Sequence, residues 1–226
     1  MTAPRSQVTG INTKTVAMVL VDRLAGHGPE AHRIWLPPLH ETYTLHQLYS
    51  DKSLHYPNDK RGVLRIPVGL VDNPYFQRRD ALVLDLQAQN LGIVGTQGAG
   101  TSTLVQSLIM SAAHTHSARD LQFYCLDFGN AKLAMLKDLA HVGCVAAKHQ
   151  TALVSRTIAE LTALKQRREK LFLQHGIQGM PDFRRLKAQG DPRLAQDQHG
   201  DVVLVIDGWS TVTQDEAAGL DHLEGA

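Results

Sequence analysis

Leu91-Gly92-Ile93-Val94-Gly95-Thr96-Gln97-Gly98-Ala99-Gly100-Thr101-Ser102-Thr103 carries an apolar, strand-like tetrad into a glycine-rich bend, and Leu104, Leu108, Ile109 and Ala112 follow at helical spacing. Strand, bend and helix in that order form the context of a phosphate-binding loop. In the pattern G-x-x-x-x-G-K-[ST], glycines let successive backbone N–H groups close around phosphate oxygens. The lysine reaches the terminal phosphates and the hydroxyl ligates magnesium. Gly95, Gly100 and Ser102 are in register, whereas Thr101 holds the lysine position. The start of the helix still offers unpaired N–H donors and the positive end of its dipole, so an anion site survives without the ammonium. A charge-assisted hydrogen bond is worth roughly 1.5–3 kcal/mol. Its loss weakens triphosphate binding by about one to two decades. Turnover suffers more, because charge moving onto the transferring oxygens loses a preplaced cation.

Outward from the loop, strands and helices alternate. Val63 to Val71 and Leu82 to Leu86 read as strands, and Gln87-Ala88-Gln89-Asn90 as a turn giving a hairpin-like entry to the strand Leu91 to Val94. Leu121 to Leu126 is strand-like and ends in Asp127-Phe128-Gly129. A short helix around Lys132 to Leu139 and a strand over Val142 to Ala146 follow. Val154, Ile158, Leu161, Leu164, Leu171 and Phe172 mark one face of a long helix from about Ala152 to His175, and a second short helical piece and a polar loop occupy Gly176 to Gly200. The expected fold is α/β, a P-loop nucleotide-binding fold with a mainly parallel sheet flanked by helices. Val202-Val203-Leu204-Val205-Ile206-Asp207 reads as a fully buried parallel strand, with an acid at its carboxyl end, where ligands bind in open α/β sheets. Asp207 opposite Ser102 is placed to hold magnesium through water. Gly208 and Trp209 follow it, so no acidic residue stands there as a general base.

The first 60 or so residues are rich in Pro, His, Gly and charges, with one strand-like segment at Val16 to Val21 and the element Trp35-Leu36-Pro37-Pro38-Leu39. They read as an interdomain connector (residues 1–60) ahead of an ATPase domain (residues 61–226). Only 19 residues follow Asp207, fewer than further covering strands require. The reading therefore expects a domain incomplete at its C-terminus and of low stability.

Composition narrows the function classes. With 43% hydrophobic residues the chain can build a packed core. A formal net charge of +1 gives no global attraction to nucleic acid or acidic membranes. Cys125 and Cys144 lie in apolar surroundings, as small buried hydrophobes in a reducing compartment. No apolar run approaches the ~18 residues of a membrane span. His114, His116, His141, Cys144 and His149 lack the spacing of a metal set. The basic runs Lys165 to Lys170 and Arg184 to Lys187 read as solvated helix faces, because Glu160 and Glu169 interleave and aromatics for base stacking are absent.

The assembled stretches resemble the EccC ATPases of type VII secretion systems, relatives of the FtsK/SpoIIIE DNA translocases. They are Ile34 to Leu39 (IWLPPL), Ile66 to Asp72 (IPVGLVD), Gln77 to Asp80 (QRRD), Gln122 to Gly129 (QFYCLDFG), His141 to Gly143 (HVG), Arg167 to Glu169 (RRE) and Val205 to Trp209 (VIDGW). The resemblance implies a RecA-like P-loop NTPase domain, one of several tandem ATPase domains in a cytoplasmic motor, peripheral to the inner membrane through its membrane-embedded partners. It implies ATP and Mg2+ as cofactors, and as partners other ATPase domains of the motor and exported WXG100-type proteins. Val19 to Leu39 resembles the connector between consecutive domains. Later domains of the family often carry degenerate sites, which Thr101 and Gly208 fit: nucleotide bound, with little or no hydrolysis, and no catalytic residue assigned. Two alternatives stay open, a nucleotide-free protein-interaction module and a domain related to the DNA translocases.

Overall fold

The computed structural model describes residues 14–29, 31, 35–40, 42–56, 64–87 and 89–214. Two compact units divide the chain between Pro37 and Pro38. Ile34, Val63 and Ala88, used in the sequence reading, lie outside the described residues, as do Asp215 onward.

In the first unit, Val16–Leu24 is a helix, α1, and not the strand expected over Val16 to Val21. A short apolar run fits either state. Here the Thr15 side chain accepts from the Met18 N–H and caps the first turn, while Lys14 pairs with Asp22. Val16, Met18, Leu20, Val21 and Leu24 are all exposed.

The second unit opens with α2 (Leu45–Ser50), started by a capping box in which the Thr44 hydroxyl accepts from the Gln47 N–H and the Gln47 side chain accepts from the Thr44 N–H. The antiparallel hairpin β1 (Arg65–Asn73) and β2 (Arg78–Asp85) turns through a 3-10 segment, Pro74–Phe76, with Gln77 left-handed at φ 50°. The hairpin turn thus falls at Pro74 to Gln77. Leu91 to Val94 carries no regular secondary structure and joins no ladder among the described residues, and Val94 is almost fully exposed. The expected hairpin-like entry at Gln87 to Asn90 is therefore replaced by an unpaired approach to the loop.

After the loop come α3 (Thr101–Thr115), β3 (Leu121–Asp127), a 3-10 turn over Lys132–Leu136 and β4 (Val142–Ala147). Then follow α4 (Thr151–His175), α5 (Met180–Ala188), β5 (Asp201–Asp207) and α6 (Trp209–Gln214). The central sheet is parallel throughout, in the order β4-β3-β5. Its continuous apolar strands reflect packing on both faces. On one side Ile109, Leu121, Phe123, Leu133 and Val142 join Leu64 and Ile66 of the hairpin segment in the largest core cluster. On the other, Leu126, Ala146 and Phe128 meet Val154 of α4. The residues of β5 are half-buried instead of buried, because β3 is the single ladder partner of β5 among the described residues. Cys125 is a free thiol in the core, and burial pushes it up to about 12, which makes it inert.

α2 lies against this body. Leu48, Leu54 and Ala81 form a small buried cluster, and Ser111 of α3 gives its hydroxyl proton to the Pro67 carbonyl at 2.5 Å while sharing a hydrogen bond with the Tyr49 hydroxyl at 2.6 Å.

Most of the first basic run is a solvated face as expected, with Lys165, Arg167 and Lys170 exposed, and so is Arg185, but Arg168, Arg184 and Lys187 turn into the fold. Arg168 is buried against Asp197, with Nε–Oδ2 at 2.7 Å, and also donates to the carbonyls of His199 and Gly200. Arg184 makes a bidentate pair with Asp201, and Lys187 donates to the carbonyls of Asp197 and His199. The sequence periodicity left these three cations among the polar residues, but the segment from Asp197 to Asp201 meets them and takes up their charge. Gly200 itself is pressed on backbone: a Cβ there would fall 2.2 Å from the Asp120 carbonyl oxygen. Gly200→Ala is therefore expected to destabilise the chain by about 1–3 kcal/mol or more. A urea-unfolding midpoint within error of the parent's would refute this.

Candidate functional site

Three elements converge at one end of the sheet: the glycine-rich bend with the first turn of α3, and the carboxyl ends of β3 and β5. The bend runs from Gly95 to Gly100. Gly98 and Gly100 adopt left-handed φ of 82° and 91°, a conformation L side chains rarely tolerate, and Gly100 is the N-cap of α3. No side chain caps the first N–H groups of α3. The dipole and free donors of this fifteen-residue helix therefore face the bend. Gly95 lies close under the turn, since a Cβ there would meet the Thr101 methyl at 3.0 Å and Ala99 at 3.2 Å. Thr96, Gln97, Gly98, Ala99 and Thr103 are exposed, and Thr101 and Ser102 are half-buried, so the bend is open to a ligand.

Ser102 Oγ donates to Asp207 Oδ2 at 2.9 Å, across 105 residues of chain. The hydroxyl and carboxylate expected to flank magnesium are thus in contact. The donor set, one hydroxyl and carboxylate oxygens beside free backbone N–H groups, is hard and oxygen-based and fits Mg2+ with phosphate.

The sequence reading gave no site role to Asp127 or Gly129, which also lie here. Asp127 ends β3 in register with Asp207 on β5 and is buried at 3% exposure. Its Oδ2 accepts from the Leu133 N–H at 2.9 Å, while Oδ1 has no hydrogen-bond partner among the described residues. Gly129 lies beside both acids, and Gly208, at φ 82°, lies against Gly129 and Phe128: a Cβ at 208 would fall 2.9 Å from the Gly129 N. The absence of an acidic residue after Asp207 thus has a steric cause. Position 208 is left-handed and crowded by backbone, so no longer side chain fits there without shifting the Phe128–Gly129 segment. The signal for Asp127 was present, an acid at the carboxyl end of a strand neighbouring β5, but strand adjacency is not visible in one sequence.

His141 Nε2 donates to the His116 carbonyl at 2.8 Å, and the Thr157 hydroxyl lies 3.5 Å from Cys144 Sγ, so these members of the histidine–cysteine group serve packing. No described helix is long and apolar enough to cross a membrane.

A parallel sheet flanked by helices, with a glycine-rich bend opening a helix opposite an acid-tipped strand, defines a P-loop NTPase fold. The chain belongs to the FtsK/SpoIIIE family, whose family model matches residues 45–222. It is 46% identical over 214 residues to the ESX secretion system protein EccC of Thermomonospora curvata, covering 91% of this chain and 16% of that protein. Against ESX-4 EccC4 of Mycobacterium tuberculosis it is 42% identical, again over 92% of this chain and 16% of the relative. Among solved structures, the cytoplasmic domain of the Thermomonospora curvata type VII secretion ATPase EccC superposes with a TM-score of 0.81 at 44% identity, over 92% of this chain and 25% of that one. A second structure, ATPases 2 and 3 of the same EccC with a signal sequence peptide, matches with a TM-score of 0.65 at 45% identity, over 71% of this chain and 29% of that one. The chain thus spans about a sixth of the length of these EccC relatives, and the similarity is to their ATPase domains.

Proposed function

We propose that this chain is a nucleotide-binding domain of a type VII secretion ATPase that binds ATP with Mg2+ and hydrolyses it little or not at all. The observation that carries this reading is the Ser102–Asp207 hydrogen bond beside an open, uncapped helix start. The backbone N–H groups of the bend, from Thr96 to Thr103, would donate to phosphate oxygens. Ser102 and Asp207 would hold magnesium, which when bound neutralises phosphate charge. Thr101 supplies no cation to the terminal phosphate, and Gly208 supplies no acid to a water. Retained affinity with depressed turnover follows from these two substitutions.

The division into a connector over 1–60 and an ATPase domain over 61–226 belongs to this proposal, with the part of the connector from Tyr43 to Tyr56 seated on the hairpin through Leu48 and Leu54. So do the partners: neighbouring ATPase domains, membrane-embedded secretion components that hold the motor at the cytoplasmic face, and WXG100-type substrates. The signal-peptide complex of the related EccC supports substrate contact by domains of this kind. The engagement of Arg168, Arg184 and Lys187 within the fold weighs against a backbone-tracking role on DNA.

Isothermal titration of ATP with Mg2+ into the chain tests the proposal. Saturable binding with slow or no phosphate release is the expected result. An absence of binding at millimolar ATP would leave the nucleotide-free interaction module as the correct reading.

A further inference from the structure

Resting on the nucleotide reading above, we infer that Asp127 is a second carboxylate of the cation–nucleotide site, whose Oδ1 accepts a hydrogen bond from a water held by the divalent cation between Ser102 and Asp207. Asp127 is buried at 3% exposure, and one of its oxygens lacks a partner among the described residues. Such an oxygen is costly to bury unless a donor or cation completes it. Its direction is set by Gly129: the point where a Cβ of that residue would sit is 3.7 Å from Asp127 Oδ1 and 3.1 Å from Asp207 Oδ2. The two acids therefore face a common gap, kept clear of side chain by a glycine. β3 and β5 pair in parallel with Asp127 and Asp207 in register, which fixes the two acids side by side. The other oxygen, Oδ2, is anchored by the Leu133 N–H, so Oδ1 is held facing the gap without conformational search.

Two carboxylates flanking one gap repel each other, and a divalent cation with its water shell removes that repulsion while supplying the missing donor. Oxygen donors that keep several waters on the ion suit Mg2+, which dehydrates reluctantly. Asp127 would thus act on the cation through its water shell, a role separate from the general base that Gly208 does not supply.

The test compares ATP affinity by isothermal titration in excess Mg2+ and in EDTA, for the parent chain, Asp127→Asn and Gly129→Ala. Asn retains an acceptor for the Leu133 N–H but lacks the full negative charge, and Gly129→Ala leaves both acids in place while putting a methyl in the gap. The expected result is a parent that binds more tightly with Mg2+, and variants that lose about tenfold or more of that gain while their EDTA affinity stays at the parent's value. A purely structural role for Asp127 would lower both affinities together, and that outcome overturns the assignment. It is also overturned if the parent binds ATP equally well with and without Mg2+, or if both variants keep the full Mg2+ gain. A parent that binds no ATP in either condition refutes the nucleotide reading, and the role of Asp127 with it.

Discussion

Arg168→Ala is expected to lower the stability of the chain by about 3–5 kcal/mol, because it strands a buried carboxylate. The Arg168 and Asp197 side chains are only 11% and 8% exposed, and the guanidinium makes four hydrogen bonds: two to Asp197 and one each to the carbonyls of His199 and Gly200. It also lies 4.8 Å from the Phe183 ring centroid. Alanine removes all of these at once, leaving Asp197 and two carbonyls without the donor that ties the loop before β5 to α4. For a domain of this size the loss corresponds to a fall in Tm of roughly 6–20 °C. Arg168→Lys is expected to recover only a part, since an ammonium cannot reproduce the planar fork.

The pH dependence has a defined sign. Burial alone would raise the Asp197 carboxyl, but the hydrogen bond and charge of Arg168, the His199 N–H and the charge of Lys187 together hold it below its ordinary 3.8. A carboxyl depressed by folding stabilises fully above its unfolded value, and that contribution is lost as the pH falls below about 3.8 toward the folded value. In Arg168→Ala the same carboxyl is buried with only the more distant Lys187 ammonium, at 4.0 Å, to offset its charge. The stability gap between parent and variant should therefore narrow on acidification through the carboxylate range. Urea unfolding at neutral pH and near pH 4 measures it, and a gap that stays constant or widens would show that the ion pair is not what joins these segments.

Thr101→Lys is expected to tighten ATP binding in Mg2+ by about one to two decades, by returning a charge-assisted hydrogen bond worth roughly 1.5–3 kcal/mol to the terminal phosphates. The backbone needed for this is in place: Gly98 and Gly100 are left-handed, α3 starts without a side-chain cap, and Ser102 already meets Asp207. Thr101→Met, of similar length without charge, separates the electrostatic gain from the packing change. Equal affinities for the Lys and Met variants would mean that the bend does not present phosphate to position 101. Phosphate release by Thr101→Lys should remain low, because the crowding that excludes an acid at Gly208 is untouched.

How far the site could be read from sequence depended on whether its signal was local. The bend was legible because glycines in register, a hydroxyl and a following apolar periodicity all lie within one short stretch. β3, β4 and α4 were legible for a related reason: an apolar strand run or a 3.6-residue stripe is written along the element itself. Val16 to Val21 misled because a six-residue apolar run suits a helix or a strand, and the Thr15 cap decides for the helix. The hairpin-like entry at Gln87 to Asn90 misled because an apolar run does not name its pairing partner: β2 pairs with β1, through a turn at Pro74 to Gln77 that carries no glycine, and Leu91 to Val94 joins no ladder among the described residues. The half-burial of β5 was not legible at all, since a β-branched run does not state how many neighbours its strand has.

By itself the sequence determined the order glycine bend, helix and acid-tipped strand, and with it the P-loop fold and the family, since these follow from backbone freedom at glycine and from apolar pattern along the chain. Tertiary structure alone decided which charges meet. Parallel pairing of β3 with β5 set Asp127 beside Asp207, the loop before β5 turned Arg168 inward, and the approach of the Gly129 backbone shut Gly208 to an acid. Each of those outcomes depends on contacts between residues far apart in the chain, where Coulomb and steric terms act through space and leave no trace in local spacing.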